Sequence, residues 1–251
     1  MTRVYWMESK MELRKMARLK QYSLSTICFP LMFYIFFGLA MASSFPGPVS
    51  ISRYTLATYG AFGVMGATLY AFGAGVAVER GLGWLEVKRA SPMPPAAYLV
   101  AKGAVSLTFG ALVVTLLFAL GAIFGGVRMA AGQWLLLWGA LVAGAIPFGA
   151  IGLAIGSFAG PNSAPGIVNM IYLPMGFLGG LWMPIDVLPK VLQHLAPCLP
   201  SYHFGQIALA ILGVPPQGSV LGHVEALVGF GLVFAGVAWI GQSRDHEKMY
   251  G

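Results

Sequence analysis

Long uncharged stretches separated by short charged segments form the main pattern of this 251-residue chain. A membrane-spanning helix needs about 20 consecutive apolar residues, and the intervals between charges hold six such helices. The predicted spans cover residues 23–43, 54–78, 103–125, 134–157, 167–183 and 221–241. Turn-forming residues 158–166 separate the fourth span from the fifth. The pattern therefore predicts an all-α membrane protein with six transmembrane helices.

The stretch between Lys190 and Glu225 is also uncharged, but prolines, histidines and glutamines interrupt it. Its longest wholly apolar run, residues 207–214, is too short to cross a bilayer. Such a segment is typical of re-entrant or interfacial structure. We therefore expect two short re-entrant helices, near residues 187–195 and 202–212, within an external gate at residues 184–213.

The composition supports the membrane assignment and gives an orientation. Charged residues make up 9% of the chain, against about 25% in soluble domains, which excludes a soluble enzyme, a disordered chain and a nucleic-acid binder despite the net charge of +7. Six spans with both termini in the cytoplasm place twelve of the fifteen Lys and Arg residues inside, as the positive-inside rule favours. An Ala-x-Ala sequence in Leu39–Ser44 imitates a signal-peptidase site, but the charged leader and apolar run before it are too long.

Two segments on the predicted cytoplasmic side carry most of the charge. The composition of residues 1–22 predicts an interfacial helix before the six-span domain at 23–251. This helix either touches anionic headgroups or also contacts a cytoplasmic partner. The loop at residues 79–102 predicts a short helix over Trp84–Ala90, which Ser91 and Pro92 end. This helix displays Trp84 and Leu85, either to the membrane surface or to a protein partner.

The residues that several kinds of chemistry require are either absent from the sequence or too far apart. No G-x-x-x-x-G-K-[ST] sequence occurs, so this chain is not expected to bind the phosphates of ATP in the usual way. Ser157 and His223 fall at opposite ends of their spans, about 30 Å apart, which argues against a membrane protease. The deeper parts of the spans carry no charge, which disfavours an ion-coupled carrier. Glu225, one turn inside the outer boundary, is either functional or reaches back to the interface.

Two motifs give the sequence a family resemblance that covers essentially the whole chain. The loop Glu79-Arg80 followed by Ser91-Pro92-Met93-Pro94 is similar to the E-R and S-P-x-P loop of the type-2 ABC exporter permeases. The stretch Gly179-Gly180-Leu181-Trp182-Met183-Pro184 with Leu188-Pro189 resembles the G-G and L-P pattern of the same family. In that family the first motif forms a coupling helix and the second leads into the external gate. The loop at 158–166 departs from the expectation, because it lacks charges for a second ATPase contact.

The resemblance implies a set of functional residues. ATPase coupling is assigned to Glu79, Arg80, Trp84, Leu85, Glu86, Arg89, Ser91 and Pro92. The substrate path is assigned to Tyr59, Phe62, Met65, Asn169, Tyr172 and Phe177. The external gate is assigned to Gly179, Gly180, Pro184, Pro189, His203 and Glu225.

The resemblance also implies partners and a cargo class. A separate ATPase subunit would bind ATP and Mg²⁺, so no cofactor is expected in this chain, and a second permease copy or close relative would complete the path within the bacterial inner membrane and its lipids. The cargo would be a hydrophobic or amphiphilic, drug-like or lipid-like compound, since aromatic and Met side chains suit such molecules. A polysaccharide or glycolipid exporter is the alternative, and an ion-coupled secondary carrier is a more distant one.

Overall fold

The computed structural model describes the backbone of residues 2–41 and 50–250, and the side chains of these residues except Gln21, Arg89, Pro95 and 244–250. Within these ranges every regular element is helical. The α-helices are α1 (Thr2–Arg18), α2 (Lys20–Phe33), α3 (Ile51–Leu69), α4 (Gly75–Gly81), α5 (Trp84–Ala90), α6 (Pro95–Ile123), α7 (Ala131–Ala143), α8 (Ala145–Phe158), α9 (Ala164–Leu178), α10 (Lys190–Leu195), α11 (Pro200–Ile211) and α12 (Val220–Tyr250). Part of the Leu39–Ser44 signal-like sequence and the predicted end of the first span lie outside the described residues.

Five helical stretches in the described ranges are long and apolar enough to cross a membrane. They are Tyr22–Ala40, Ile51–Gly81, Ala96–Ile123, Ala131–Phe158 and Val220–Ser243. These stretches correspond to the predicted first, second, third, fourth and sixth spans. The predicted fifth span corresponds to α9, whose 15 residues are fewer than the roughly 20 that a straight crossing requires. The all-helical membrane architecture is confirmed, while the sixth crossing stays a prediction.

The second span is the axis around which the other helices pack. Every residue from Thr55 to Leu69 in α3 is buried, and the span continues through a π-helical segment, Tyr70–Ala74, into α4. Small residues permit this close packing, since bulky side chains would keep the neighbouring helices apart. At Gly156 in α8, for example, an added Cβ would lie 2.6 Å from the backbone oxygen of Phe72.

The fourth span is divided at Gly144 into α7 and α8, although the sequence pattern predicts one helix there. Two local causes explain the break. Pro147 has no N–H with which to continue the helical hydrogen-bond ladder across this point. The ring of Phe204 in α11 also occupies the space beside Gly144, where an added Cβ would lie 2.2 Å from Phe204 Cζ.

The short helices follow the proline and glycine positions closely. Helix α5 has the predicted bounds, Trp84–Ala90. Two short helices, α10 and α11, lie within the predicted gate, joined by a 3₁₀ turn at Ala196–Cys198. Helix α10 begins after Pro189 rather than near residue 187 because proline favours the N-terminal boundary of a helix. Whether these two helices enter the membrane and return stays a prediction.

Candidate functional site

Helix α5 projects from the bundle because of the residues at its two ends. Gly83 precedes it with a φ of 73°, a left-handed conformation that glycine adopts without a steric penalty. At the other end, the Ser91 hydroxyl donates to the Lys88 carbonyl at 2.6 Å. Between these ends α5 exposes Trp84 and Val87, which are 50% and 72% accessible. An apolar pair is therefore displayed on a short helix with defined ends.

A salt bridge attaches α5 to the N-terminal helix. The Lys88 ammonium lies 2.6 Å from a carboxylate oxygen of Glu8 in α1. It also sits 4.6 Å from the ring centre of Tyr98 in α6, where the electron-rich ring face attracts a cation. Lys88 thus connects α5 with α1 and α6.

A group of four buried or partly buried charges joins α1 to the second and third spans. We call Glu12, Lys15, Glu79 and Lys102 the buried charge cluster. Lys102 Nζ lies 2.6 Å from Glu12 and 2.8 Å from Glu79, and its side chain is 1% exposed. Lys15 pairs with the same two carboxylates, and the Tyr98 hydroxyl donates to Glu79 at 2.7 Å. Each carboxylate therefore has two cationic partners.

The electrostatics of the cluster favour its charged form. Burial alone lowers the pKa of Lys15, but the nearby carboxylates of Glu79 and Glu12 outweigh this effect and raise the pKa above its usual value. Two acidic and two basic groups balance each other, so the cluster is buried without net charge. Pairing of this kind is what allows charges to remain out of water.

Arg80 connects the end of the second span to the end of α8. Its guanidinium donates to the backbone carbonyls of Ser157 and Ala159, the latter at 2.7 Å. The last carbonyls of a helix have no intrahelical partners, and a basic side chain there also interacts favourably with the helix dipole. Arg80 therefore caps α8 and fixes it against α4.

The structure separates the predicted coupling residues into two groups. Glu79 and Arg80 bind within the chain, whereas Trp84, Glu86, Ser91 and Pro92 are exposed and Leu85 is half-buried. Arg89 belongs to α5, but its side chain is outside the described atoms. An ATPase contact by the exposed group stays a prediction, and the inward pair is placed to hold α5 in position.

The predicted path residues gather around stacked aromatic rings between the second span and α9. Phe62 and Tyr172 stack with ring centres 4.2 Å apart and planes 13° from parallel. The Trp182 ring packs edge-on against Phe62 at 5.5 Å and lies 5.3 Å from Phe33 in α2. Offset or edge contacts of this kind stabilise aromatic clusters beyond simple burial.

These path residues differ in their exposure. Tyr59, Phe62 and Met65 are fully buried within the chain, and Tyr172 is 6% exposed. Phe177 is half-buried, packing at 6.3 Å from the Trp182 ring. Asn169 is exposed and accepts a hydrogen bond from the Tyr70 hydroxyl. The structure brings most of them together, and their role in a path stays a prediction.

The predicted gate begins where α9 meets the loop before α10. An added Cβ at Gly179 would lie 2.3 Å from the Ser201 hydroxyl oxygen, which itself donates to the Met175 carbonyl at 2.7 Å. Gly180 has a φ of 75°, so both glycines are required by the turn. Pro184 and Pro189 precede the two short helical segments that follow, a 3₁₀ turn and α10.

A histidine pair joins α11 to α12. His203 Nδ1 and His223 Nδ1 are 2.9 Å apart, and His203 Nε2 lies 2.9 Å from the Pro197 carbonyl. Ser157 instead donates to the Leu153 carbonyl, in agreement with the exclusion of a Ser157–His223 pair. Glu225 is exposed on α12, and its assignment to the gate stays a prediction.

Comparison with known proteins identifies the family of a chain with these spans, short helices and buried charges. The family model of the ABC-2 type transporters matches residues 3–212, which include α1, α5 and both predicted motifs. The chain belongs to this family. It is also 31% identical over 218 residues to YvfS of Bacillus subtilis (strain 168), described as a transport permease, with 85% of this chain and 88% of that protein covered. The chain is an integral membrane protein and an ABC-2 type permease.

Sequence reasoning missed the partners of Glu79 in this ABC-2 permease. Glu8, Glu12 and Lys15 lie at i, i+4 and i+7 of α1, a spacing that places them on one helix face. That face turns toward α5 and α6, where Lys88 and Lys102 meet it. An acidic pair at helical spacing, in a segment otherwise rich in basic residues, is the signal that could have indicated an inward charged face.

Proposed function

We propose that this ABC-2 permease is the membrane subunit of an ATP-driven exporter and that α5 contacts a separate ATPase subunit on the cytoplasmic side. The observation that carries this proposal is the exposed apolar pair Trp84 and Val87 on a helix whose ends are both fixed. Apolar side chains with this exposure are unfavourable in water, and tryptophan is enriched among the residues that dominate the binding energy of protein interfaces.

The contacts behind α5 supply a route by which a displacement of α5 would reach the spans. Lys88 connects α5 to α1 through Glu8, and the buried charge cluster connects α1 to the second span and α6. Arg80 extends the connection to α8. Since these bonds join packed helices, an ATPase that moves α5 would move the four elements together rather than bend one loop.

The aromatic cluster supports a hydrophobic or amphiphilic cargo, moved outward from the cytoplasm or the adjoining leaflet. Its hydroxyl groups are already used inside the chain: Tyr59 donates to the Trp182 carbonyl and Tyr172 to the Phe62 carbonyl. The ring faces that would become accessible on opening are therefore apolar. A polysaccharide, the alternative cargo, needs many hydrogen-bond partners for its hydroxyls, and this cluster offers few.

A second permease copy completes the proposal. Four of the residues assigned to the path, Tyr59, Phe62, Met65 and Tyr172, are buried inside a single chain, so a path requires the second span and α9 to separate or to pair with a partner molecule. Asn169 is exposed on α9 and is bound to Tyr70 of the second span, which places a polar contact where such a separation would begin.

The proposal is tested with Trp84→Ala combined with Val87→Ala in the chain expressed in its native host. We expect this variant to insert normally, but to lose most of the ATPase subunit that co-purifies with the unmodified permease, and to lose export. Val191→Ala is the control, because Val191 in α10 is 71% exposed and α10 belongs to the predicted external gate. Unchanged ATPase recovery in the double variant, or equal loss in the control, would contradict the assignment of α5.

A further inference from the structure

A large groove opens between the third, fourth and last spans, away from the aromatic cluster. Its volume is about 1230 Å³, above the roughly 300–1,000 Å³ common for small-molecule sites. Its walls come from α6, α8 and α12, its floor from Phe72 and Val76 of the second span, and one end from α5. None of the residues assigned to the substrate path lines it.

The groove opens at the outer surface of the helix bundle rather than into its interior. Ile146 and Trp239, on two of its walls, are 74% and 76% exposed, although both lie within membrane-spanning stretches. Its lining along α6 runs from Ala96 to Leu107, about 16 Å at the usual rise per residue. This length matches one leaflet, which is about half of a 30 Å hydrocarbon core.

The two ends of the groove differ in polarity. Away from α5 the lining consists of apolar and small residues, including Gly103, Gly149 and Ala235. At the α5 end it includes two basic residues, Arg80 and Lys88, and one acidic residue, Glu86. The Lys88 ammonium has three N–H donors, so a bond to Glu8 still allows donation to another acceptor. Basic groups between spans at the membrane surface are typical of sites for phospholipid headgroups.

From these features we infer that the groove binds one phospholipid of the leaflet next to α5, with an acyl chain between α6, α8 and α12 and the phosphate beside Lys88 and Arg80. A groove of this kind in a bilayer is surrounded by lipid, so an acyl chain fills it without displacing water. The lipid would then contact α5 and three spans together. The inference does not depend on the proposed ATPase contact.

Gly103 offers a direct way to fill the groove. A Cβ added at Gly103 would meet nothing within 4 Å, so Gly103→Leu adds a side chain that starts in open space at a position lining the groove. Gly139→Leu is the matched control, because Gly139 on α7 also faces open space and does not line the groove. Ala235→Leu, with Gly236→Leu as its control, repeats the comparison from the α12 wall.

The experiment measures lipid retention by native mass spectrometry of the full chain in mild detergent. The probes are palmitoyl-oleoyl phosphatidylglycerol and the diacylglycerol with the same chains and no phosphate. We expect phosphatidylglycerol retention to be weakened about tenfold, or about 1.4 kcal/mol, by Gly103→Leu and Ala235→Leu, but not by the two controls. Diacylglycerol should bind the unmodified chain more weakly than phosphatidylglycerol, and Lys88→Met should reduce this difference.

Three results would overturn the inference. Equal phosphatidylglycerol retention in the unmodified chain and both groove variants would mean that no lipid occupies the groove. A change in oligomeric state with unchanged lipid retention would show that another protein chain covers it. Export lost in Gly103→Leu with lipid retention unchanged would make the groove a cargo site instead.

Discussion

The two ends of the second span are held by different kinds of bond. At the Gly81 end, Glu79 is bound by two ammonium groups and a tyrosine hydroxyl. At the Ile51 end the side chains donate to backbone carbonyls: Arg53 to Leu212 at 3.0 Å, Tyr54 to Gly180 at 3.2 Å and Tyr59 to Trp182 at 3.0 Å. The same helix is therefore fixed by side-chain ion pairs at one end and by hydrogen bonds to backbone carbonyls at the other.

The difference indicates how easily each end can rearrange. Removing one partner of a buried ion pair costs about 3–5 kcal/mol, because the other charge is left uncompensated. A neutral hydrogen bond contributes only about 0.5–1.5 kcal/mol net. The tyrosine end, which adjoins the predicted gate, can therefore exchange its bonds at lower cost than the end that adjoins α5.

Among the substitutions that test this comparison, Lys102→Met is expected to lower the free energy of unfolding the most. It leaves Glu12 and Glu79 with one cation between them in a buried site, and we expect the free energy of unfolding to fall by about 3–5 kcal/mol. Denaturant unfolding in detergent micelles measures the change. Lys190→Met is the control, since Lys190 on α10 is exposed. Equal losses in both variants would remove the energetic distinction between the two ends.

A second substitution distinguishes two causes of the instability expected for Lys102→Met, the uncompensated negative charge and the lost packing. Adding Glu12→Gln to Lys102→Met removes the excess negative charge while keeping the shape of the carboxyl group. We expect the double variant to be more stable than Lys102→Met alone, which corresponds to a coupling energy between contacting residues. A simple sum of the two single effects would argue against a direct interaction.

Tyr59→Phe is expected to have a moderate effect at the opposite end. The substitution removes the hydroxyl that donates to the Trp182 carbonyl but keeps the buried ring. We expect a loss of about 0.5–1.5 kcal/mol in the free energy of unfolding, measured in the same micelles. A loss as large as that of Lys102→Met would show that the tyrosine end is held as firmly as the charged end.

Glu8→Gln is expected to have the smallest effect on stability. The Lys88–Glu8 pair is partly exposed, and such pairs contribute about 0.2–1 kcal/mol. Because this pair is a link between α1 and α5, export should fall more than stability does. Lys10→Gln, on the exposed side of α1, is the control for both measurements. Unchanged export in Glu8→Gln would limit the transmission route to the buried charge cluster and Arg80.

Much of the fold could be predicted because it depends on local patterns. The spacing of charges predicted six spans, and five of them correspond to helical stretches long enough to cross a membrane. Gly83 before α5 and Ser91-Pro92 after it gave that helix its observed bounds, since glycine and proline act within one or two residues. The partition of the fourth span at Gly144 also depends on Phe204, sixty residues away, and was not predictable from local sequence.

The candidate site was less predictable because its bonds connect distant parts of the chain. Glu79 was expected to face an ATPase, but its partners Lys15 and Lys102 come from α1 and α6. A helical projection of α1 assumes that the inward face is apolar. Here Glu12 is buried while Trp6 and Met11 are exposed. A projection that looks for an apolar inward face therefore does not identify the face of α1 that is buried.

The balance of charges within the cluster has a consequence for the energy source of transport. A single elementary charge carried across the membrane field changes the free energy by about 2.3 kcal/mol per 100 mV. Two carboxylates and two ammonium groups that move as one unit carry no net charge through that field. The cluster itself therefore takes no energy from the membrane potential when the second span moves together with α1 and α6.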